Sequence, residues 1–530
     1  MMKRIYTTLL VLHVALLAGV ASAQISDAMR KLNTAVFAVR EMYVDTVNET
    51  KIVEDMINHM LHELDPHSSY TTAEETKELN EPLEGNFSGI GIQFNIDNDT
   101  LLVVQVIAGG PSERVGVQAG DRIVAVNDSV IAGVGLKTAD VRKLLRGPEG
   151  TKVDVRVLRR GIAKPIDFRI TREQIPIYSV DATYMIDDKT GYIRVSRFAA
   201  TTHDEMVEAM QKLKKQGMTQ LILDLQDNGG GYLTSAVYMA NEFLDKGQLI
   251  VYTEGDKSPR TDAVAEAQGS FVKNKLVVLV DEGSASSSEI VSGALQDWDR
   301  AVLVGRRTFG KGLVQRPIPF VDGSMIRLTV SRYYTPAGRC IQKPYDKGQK
   351  EYYKDIYDRY KHGELMHADS IQFADSLQYK TLVTGRTIYG GGGIMPDVFV
   401  PLDTTLYTDY HRDIVAKGTL SQFAMKYIDK HRKKLEKQYR SVESYIAAFE
   451  VDDKMIAQLK EAGDADKVEY DAEEAAKSRD MIARQLKALI ARDLFDMSAY
   501  FQVMNPIDPV YLKGVEIINN DEEYNRLLGR

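Results

Sequence analysis

Four serines in the turn at residues 281–288 stand not far before one lysine, Lys311, and their types are those of a nucleophile and its base. The serines follow an apolar run, and Lys311 comes later between two glycines. No histidine lies between His203 and His362, so a serine nucleophile here would most simply use a lysine as its base. Spacing alone leaves four serines open as the nucleophile: Ser284, Ser286, Ser287 and Ser288.

Lys311 can act as a base only if it is neutral at the working pH. The ordinary lysine pKa is about 10.4, so work near pH 7.5 requires a value lower by about 3, which corresponds to about 4 kcal/mol. Burial lowers a lysine pKa that far, whereas an exposed position does not. The small and apolar residues on both sides of Lys311 favour burial. The alternative is an exposed lysine in a turn, which is the usual place for this residue type.

Gln315 lies four residues after Lys311 and could orient its amine by hydrogen bonding. In a straight strand the two residues would be about 13 Å apart, which is too far for contact. The chain must therefore bend between them, and Gly310 and Gly312 would permit the bend.

Two features of the sequence could stabilise an oxyanion near these serines. Ser286 and Glu289 form an S-x-x-E pattern before a predicted helix, which is typical of a capping box. The same geometry places a serine beside open N–H groups at the start of a helix. Three glycines, residues 229–231, stand between a predicted strand and helix and could supply another N–H. A plain tight turn is the alternative interpretation of these glycines.

The bulk composition excludes several classes of protein. A chain of 530 residues is too long for one core and indicates several domains. Its net charge of -8 leaves no basic excess to hold a phosphate backbone, so nucleic acid is not expected as a partner. Cys340 is the only cysteine, which excludes an internal disulfide and a zinc site of the cysteine type. We predict no metal and no other cofactor.

The N-terminus has the pattern of a secretory signal peptide over residues 1–23. Lys3 and Arg4 precede an apolar run over residues 9–20, and Ala-Ser-Ala at 21–23 suits cleavage. The alternative is an uncleaved membrane anchor, but the apolar run is short beside the roughly 20 residues that span a bilayer. We therefore expect an exported protein.

Changes in sequence texture predict four regions after the signal peptide. The first, residues 24–83, has helical spacing of apolar residues; the second, 84–172, has short strands and glycine turns. The third, 173–403, alternates strands with helices and includes a polar insertion at about 345–380; the fourth, 404–530, is helical again. The alternation in the third region predicts an α/β layer. An apolar helical stripe in the fourth is usually core, with a dimer contact as the alternative.

A series of motifs resembles the carboxyl-terminal processing (tail-specific) serine proteases, a family with a PDZ domain. The likeness runs over about residues 37–400, most of the predicted mature chain. One such motif would be weak, whereas a series in the family's order is specific. The motifs occupy residues 64–70, 89–92, 116–123, 223–231, 283–289, 308–315, 334–338 and 393–397.

The resemblance implies both a fold and a set of catalytic residues. The fold would be α/β, a ClpP/crotonase-like core with an inserted α+β PDZ domain and helical N- and C-terminal regions. Ser286 would be the nucleophile, Lys311 its base and Gln315 the support of that base. The backbone N–H groups of Ser287 and Gly230 would hold the oxyanion.

The PDZ domain in this resemblance implies protein substrates that are bound by their C-termini, in the periplasm or cell envelope. A PDZ groove binds an extended peptide as an added strand and takes its carboxylate in a nest of backbone N–H groups. An adaptor protein and a homodimer through the helical termini are partners left open. Arg146, in the turn after the predicted PDZ helix, is a candidate relay that would transmit peptide binding in the groove to the catalytic dyad, Ser286 and Lys311. The nest falls on Gly89, Ile90, Gly91 and Ile92.

Two alternative hypotheses compete with this interpretation. The first keeps the protease but uses a histidine base, His203 or His67. The second is a non-catalytic PDZ scaffold at the cell envelope, suggested by a PDZ domain beside extra helical segments. The joint presence of Ser286, Lys311 and Gln315 argues against the scaffold.

Overall fold

The computed structural model describes residues 26–405 and 407–530. The predicted signal peptide, residues 1–23, lies outside the described residues. The chain divides into two compact units, one that ends at Leu64 and one that is Asp65–Arg530. Within the described part, no helix is both long enough and apolar enough to cross a bilayer.

The first unit contains a pair of helices, α1 (Asp27–Met42) and α2 (Glu49–His62). The Ser26 hydroxyl caps the first helix and the Asn48 side chain caps the second, each by accepting a backbone N–H. Apolar side chains of both helices line a small cleft between them. None of the residues of α1 is buried, so the helix keeps much of its apolar surface exposed.

The second unit begins with two short elements, β1 (Ser69–Thr71) and α3 (Ala73–Glu84). The strand interrupts a region that the sequence predicts to be helical. It forms because the Asp65 carboxylate accepts the N–H groups of His67 and Ser68, at 2.8 and 2.9 Å, and so turns the chain toward a sheet.

The predicted PDZ region is a small antiparallel barrel-like sheet with two helices. Its elements are β2 (Asn86–Gly89), β3 (Ile92–Ile96), β4 (Leu101–Val106), α4 (Pro111–Val115), β5 (Arg122–Val126), β6 (Ser129–Val130), α5 (Thr138–Leu145), β7 (Lys152–Leu158), β8 (Ile166–Thr171) and β9 (Glu173–Pro176). The main sheet has the order β3-β4-β5-β7-β8, and β2 pairs separately with β9. Alternate residues of β7 are buried, as a strand with one core face requires.

The start of α5 differs by one residue from the prediction. Thr138, predicted as the N-cap, is the first residue of the helix, and Lys137 is the N-cap. The Lys137 N–H is accepted by the Asp140 carboxylate at 3.2 Å, which fixes the helix start one residue earlier.

The α/β region holds a six-stranded sheet of the order β10-β11-β12-β15-β16-β21. Only the β10–β11 pair of this sheet is antiparallel among the described strands, and the middle strands are buried along nearly their whole length. The elements are β10 (Val180–Met185), β11 (Thr190–Val195), α6 (Thr202–Lys215), β12 (Gln220–Asp224), α7 (Leu233–Asn241), β13 (Leu249–Gly255), β14 (Ser258–Val264), β15 (Lys275–Val280), α8 (Ser287–Asp297), β16 (Val302–Gly305), β17 (Leu313–Pro319), β18 (Met325–Tyr334), α9 (Gln349–Lys361), β19 (Gln378–Lys380), β20 (Thr387–Tyr389) and β21 (Val398–Phe399).

A second sheet crosses this region in the order β1-β18-β13-β14, with β17 also paired to β18. The strand β18 is thus shared by three neighbours. Its pairing with β17 sets Gln315 directly opposite Thr329. Helix α9 lies in the segment that the sequence predicts as a polar insertion.

The last region is helical, and part of it completes the core of the α/β sheet. Its helices are α10 (Asp409–Ala416), α11 (Thr419–Gln438), α12 (Val442–Ala448), α13 (Asp453–Ala465), α14 (Ala472–Leu494), α15 (Met497–Met504), α16 (Pro509–Asn519) and α17 (Asp521–Leu527). Apolar residues of α16 and α17 join those of β12, β15 and β16 in one buried cluster. The apolar stripe of α14 is mostly buried in a separate helical core, so its prediction as core is confirmed. The predicted fold class, an α/β core with a PDZ domain and a helical C-terminal region, is confirmed.

Candidate active site

Ser286 stands at the start of α8 in a strained backbone conformation. Its φ is +56°, a region that a residue with a side chain rarely occupies. Gly230 presses against it, because a Cβ at position 230 would lie 2.8 Å from the Ser286 Cβ. The glycine turn and the serine turn therefore form one packed unit, in which only a residue without a side chain fits at 230.

The hydroxyl groups of the four candidate serines have different partners. Those of Ser284, Ser287 and Ser288 each donate to a backbone carbonyl, of Leu225, Gly231 and Asn228, at 2.8, 3.1 and 2.8 Å. The Ser286 hydroxyl donates to no acceptor in the described chain. Ser286 is therefore the only one of the four serines whose hydroxyl proton is not already donated to another group in the part of the chain that the structure describes.

The carboxylate of Glu289 joins the turn that carries the four serines (residues 284–288, the serine turn) to the loop that carries Lys311 (residues 308–311, the lysine loop). It is fully buried and accepts four hydrogen bonds: from the N–H groups of Ser286, Gly310 and Lys311 at 2.8, 2.7 and 2.9 Å, and from the Thr308 hydroxyl at 2.5 Å. Burial raises the pKa of Glu289, and the four hydrogen bonds oppose that effect. One side chain therefore fixes the backbones of both candidate dyad residues.

Tyr333 forms a second link between the same two backbones. Its hydroxyl lies 3.0 Å from the Ser286 carbonyl oxygen and 2.6 Å from that of Lys311, within donating distance of both. The ring is buried in the α/β core, so the hydroxyl position is fixed. Sequence reasoning missed this role because Tyr333 belongs to a strand some distance along the chain.

Lys311 has the environment that a neutral lysine needs. Burial lowers its pKa, and the nearby Arg327 guanidinium lowers it further, whereas Glu289 and Asp65 act in the opposite direction. Gly310, with a φ of +90°, turns the chain just before it. Lys311 as a whole is half-buried, so the expected burial is present in part.

A bend stands between Lys311 and Gln315, but the Gln315 side chain binds another residue and not Lys311. The pairing of β17 with β18 shifts register between Val314 and Gln315, which marks a β-bulge. The Gln315 amide donates to the Thr329 hydroxyl at 3.3 Å, and that hydroxyl donates to the Asp65 carboxylate at 3.0 Å. Gln315 is thus tied to the loop that precedes β1.

The two candidate oxyanion donors differ in their present state. The N–H of Ser287 meets no acceptor in the described part of the chain. The N–H of Gly230 donates to the Asn228 side-chain oxygen at 2.9 Å. Gly230 would therefore have to exchange this partner before it could bind an oxyanion.

The two alternative histidine bases each have a local partner. The His67 ring lies 2.8 Å from the Tyr352 hydroxyl, and burial together with the Lys311 charge lowers its pKa to about 4. The His203 ring lies 3.0 Å from the Glu242 carboxylate. At neutral pH His67 is uncharged and bound to the tyrosine, which suits a structural role around Pro66.

The insertion helix α9 supports the lysine loop by hydrogen bonds to its carbonyl oxygens. The buried Arg359 guanidinium donates to the carbonyl oxygens of Thr308 and Phe309, at 2.8 and 3.2 Å, and to that of Gly392 at 3.4 Å. The Phe309 carbonyl belongs to the same peptide bond as the Gly310 N–H that Glu289 binds. The loop is therefore held on both sides of its backbone.

The same helix also contacts the loop that carries Asp65. The Tyr353 hydroxyl donates to the Pro66 carbonyl oxygen at 2.6 Å, and the Gln349 amide donates to that of Asp65 at 3.2 Å. A helix that appears in the sequence as a polar insertion thus holds two loops beside Lys311. Its polar, tyrosine-rich sequence gives no signal of this position.

The predicted carboxylate nest lies in a groove of about 280 Å³ between β3 and α5. Gly91 has a φ of +73°, and within the described chain the N–H groups of Ile90 and Gly91 donate to no acceptor. Arg146 at the end of this groove forms an ion pair with Glu81 of α3 and lies over the Phe87 ring. It therefore contacts both the groove and helix α3, which directly precedes the PDZ strands.

Comparison with known families gives three matches along the chain. Residues 189–348 match a family described as Peptidase family S41, and residues 102–159 match a PDZ domain. Residues 410–496 match a family of unknown function, DUF8443.

Several known proteins are similar to this chain over more than half its length. A carboxy-terminal-processing protease of Bartonella bacilliformis is 38% identical over 309 residues, 57% of this chain and 70% of the relative. The carboxy-terminal processing protease CtpA of Bacillus subtilis is 36% identical over 327 residues, 61% of this chain and 69% of the relative. A probable CtpA-like serine protease of Staphylococcus aureus (strain N315) is 38% identical over 317 residues, 59% of this chain but 62% of the relative.

Two solved structures are also similar. The photosystem II D1 C-terminal processing protease is 29% identical with a TM-score of 0.33, and the match covers 60% of this chain and 90% of that one. The PDZ domain of a carboxy-terminal protease from Vibrio cholerae, solved in complex with a peptide, is 33% identical with a TM-score of 0.16. That match covers 17% of this chain and 97% of the domain.

Replacing Glu289 with glutamine should destabilise the α/β region. A carboxamide nitrogen cannot accept the N–H groups that now bind the second carboxylate oxygen, and each buried donor left unpaired costs about 1–3 kcal/mol. We expect a clearly lower urea midpoint for Glu289→Gln, and an unchanged midpoint for Glu266→Gln, which alters an exposed residue. Equal midpoints for the two variants would show that the carboxylate does not hold the loops.

Removing the Arg359 guanidinium should loosen residues 308–311 without unfolding the chain. We expect amide hydrogen exchange in this loop to become about tenfold faster in Arg359→Ala, because two hydrogen bonds to its backbone, at Thr308 and Phe309, are lost. The matched control is Lys350→Ala, an exposed residue of the same helix. Unchanged exchange in Arg359→Ala would rule out the support by α9.

Proposed function

This chain belongs to the S41 family of carboxy-terminal processing serine proteases and carries a PDZ domain, and we propose that it hydrolyses peptide bonds through Ser286 and Lys311. The observation that carries the proposal is the Glu289 carboxylate, which binds the backbone N–H groups of both residues. The free proton of Ser286 and the lowered pKa of Lys311 support the same roles.

The proposed reaction begins when neutral Lys311 takes the proton of the Ser286 hydroxyl. The Ser286 Oγ attacks the scissile carbonyl carbon, and the carbonyl π electrons move to oxygen to form a tetrahedral oxyanion. As the oxyanion collapses, the C–N bond breaks and the Lys311 ammonium returns its proton to the leaving amine. Lys311 then takes a proton from water as the water oxygen attacks the acyl-serine ester, and the C–Oγ bond breaks when this second intermediate collapses. The Lys311 ammonium returns its proton to the Ser286 Oγ, and the second product leaves as a carboxylic acid.

The oxyanion and the lysine would each be stabilised by groups beside the dyad. We assign the oxyanion to the N–H groups of Ser287 and Gly230; the latter becomes available when it leaves Asn228. Gln315 would hold the Lys311 amine after exchanging its present partner, Thr329. Each role thus requires its group to give up the partner that it binds here.

Substrate choice would lie with the PDZ groove. Open N–H groups at Ile90 and Gly91 suit a terminal carboxylate, and the neighbouring edge of β3 suits an added peptide strand. The substrates would be proteins with an accessible C-terminus, and the predicted signal peptide makes the periplasm or cell envelope their expected location. An adaptor protein and a homodimer through the helical termini stay predictions.

Substitution of either dyad residue should abolish peptide hydrolysis while the fold is kept. We expect kcat/KM on an unfolded protein with an apolar C-terminus to fall by at least about 10⁴ in Ser286→Ala, Lys311→Ala and Lys311→Arg. Arginine fails because it does not lose its proton in proteins. Lys347→Ala, an exposed residue, is the control. Hydrolysis by Lys311→Ala at the wild-type rate would refute the lysine base, and tight substrate binding without hydrolysis by the wild type would favour the scaffold.

The rate should rise with pH as Lys311 loses its proton, with a midpoint below the ordinary lysine pKa. The Arg327 charge lowers that pKa because it disfavours the ammonium, so Arg327→Gln should raise the pKa and move the rising limb to higher pH. Measurement of kcat/KM between pH 5 and 10 tests the shift. Arg316→Gln, an exposed arginine on β17, is the matched control and should leave the profile in place. A limb that stays fixed in Arg327→Gln would contradict the assignment.

A further inference from the structure

The peptide groove of the PDZ domain is lined by two arginines, two uncharged polar residues and otherwise apolar residues, with no carboxylate. This composition favours a ligand that carries a further negative charge in addition to its terminal carboxylate. Its lining residues are Phe87, Gly89, Ile90, Gly91, Ile92, Gln93, Phe94, Thr138, Arg142, Leu145 and Arg146.

The two arginines of the groove differ in what they already bind. Arg146 is paired with Glu81, and its guanidinium lies 4.4 Å from the centre of the Phe87 ring. The Arg142 side chain is exposed, and within the described chain it forms no ion pair and no hydrogen bond. Arg142 is therefore the cation that a bound peptide can engage without breaking an existing contact.

The direction of α5 sets which peptide residue Arg142 faces. A Cβ on Gly89 would lie 3.8 Å from the Arg146 Cγ, so the C-terminal end of α5 stands beside the carboxylate nest. The last side chain of the peptide would then face Leu145, whose buried side chain joins the apolar PDZ core. Residues earlier in the peptide lie progressively nearer the N-terminal end of the helix.

The spacing of strand and helix identifies the peptide position. Side chains of an added strand alternate, so the third residue from the end faces α5 again, about 6.8 Å further along. With a helical rise of about 1.5 Å per residue, Arg142 lies about 4.5 Å and Thr138 about 10.5 Å from Leu145 along the axis. The third side chain from the end thus falls between Arg142 and Thr138.

We propose that this PDZ domain selects substrates that have Asp or Glu as the third residue from the C-terminus, and that Arg142 is the residue that recognises it. The proposal rests on the proposed function, in which the groove binds substrate C-termini. The Thr138 hydroxyl also faces this acidic side chain, which falls between Arg142 and Thr138. The apolar wall beside Leu145 takes the final side chain of the peptide. Arg142 is a specificity-determining residue and takes no part in the hydrolysis itself.

Peptide binding to the full-length Ser286→Ala protein tests the selection without hydrolysis. The probes are fluorescein-labelled decapeptides that end in valine and carry Glu, Gln or Lys at the third position from the end, measured by fluorescence anisotropy. We expect the Glu peptide to bind about fivefold more tightly than the Gln peptide, and the Lys peptide to bind more weakly than both. A peptide with Glu at the second position from the end should match the Gln peptide, because that side chain points away from α5.

Substitution of Arg142 should change the order of these affinities. In Arg142→Ala the Glu and Gln peptides should bind equally, and in Arg142→Glu the Lys peptide should bind best. The matched control is Lys164→Glu, which makes the same charge change at an exposed PDZ residue outside the groove and should preserve the original order.

C-terminally amidated peptides separate this inference from the function on which it rests. If free-acid peptides bind more tightly than amidated ones but Glu, Gln and Lys bind equally, the groove binds C-termini and the role of Arg142 is wrong. If acid and amide bind equally, the proposed C-terminal recognition itself is wrong. If Arg142→Ala removes the difference between acid and amide, Arg142 binds the terminal carboxylate, which also overturns the inference.

Discussion

The buried carboxylate of Glu289 is the interaction on which the rest of the site depends. A carboxylate removed from water is costly unless donors surround it, and here three N–H groups and one hydroxyl do so. Two of those N–H groups belong to Ser286 and Lys311. The loops must therefore come together whenever Glu289 is buried with its donors. The placement of the proposed dyad follows from formation of the core, and it needs no direct bond between the two reactive side chains.

The same carboxylate creates an electrostatic conflict that the surrounding structure resolves. A negative charge close to Lys311 favours the ammonium, whereas a base must lose that proton. Burial has the larger effect on the lysine, and Arg327 adds to it, so the net result is a lowered pKa. Glu289 can position the lysine backbone because its charge is already taken up by four hydrogen bonds. Glu289 thus positions Lys311, whereas burial and Arg327 favour the loss of its proton.

The sequence predicts most of the fold and the reactive residues but only part of what holds them. The isolation of Lys311 between glycines indicates its burial, and the S-x-x-E pattern indicates the bond from Ser286 to Glu289. The other three serine hydroxyls donate hydrogen bonds to backbone carbonyls outside the serine turn or in its neighbour, the glycine turn. The spacing of the serines cannot reveal these partners. The link from Asp65 to Gln315 joins residues 250 positions apart, since 315 − 65 = 250. The role of α9 is hidden because a polar helix lacks the apolar period of a core element.

The contacts around Gln315 define what a signal from the PDZ groove would have to change. Arg146 binds Glu81 on α3, and the preceding strand β1 pairs with β18, which carries Thr329. A bound peptide can shift an equilibrium only if it contacts two states of the protein differently. One of these states is observed, Gln315 bound to Thr329, and the other is the proposed one, Gln315 bound to Lys311. The Arg146 relay stays a prediction. Its physical requirement is that displacement of α3 weakens the hydrogen bonds of Asp65 and Thr329 enough to release the glutamine.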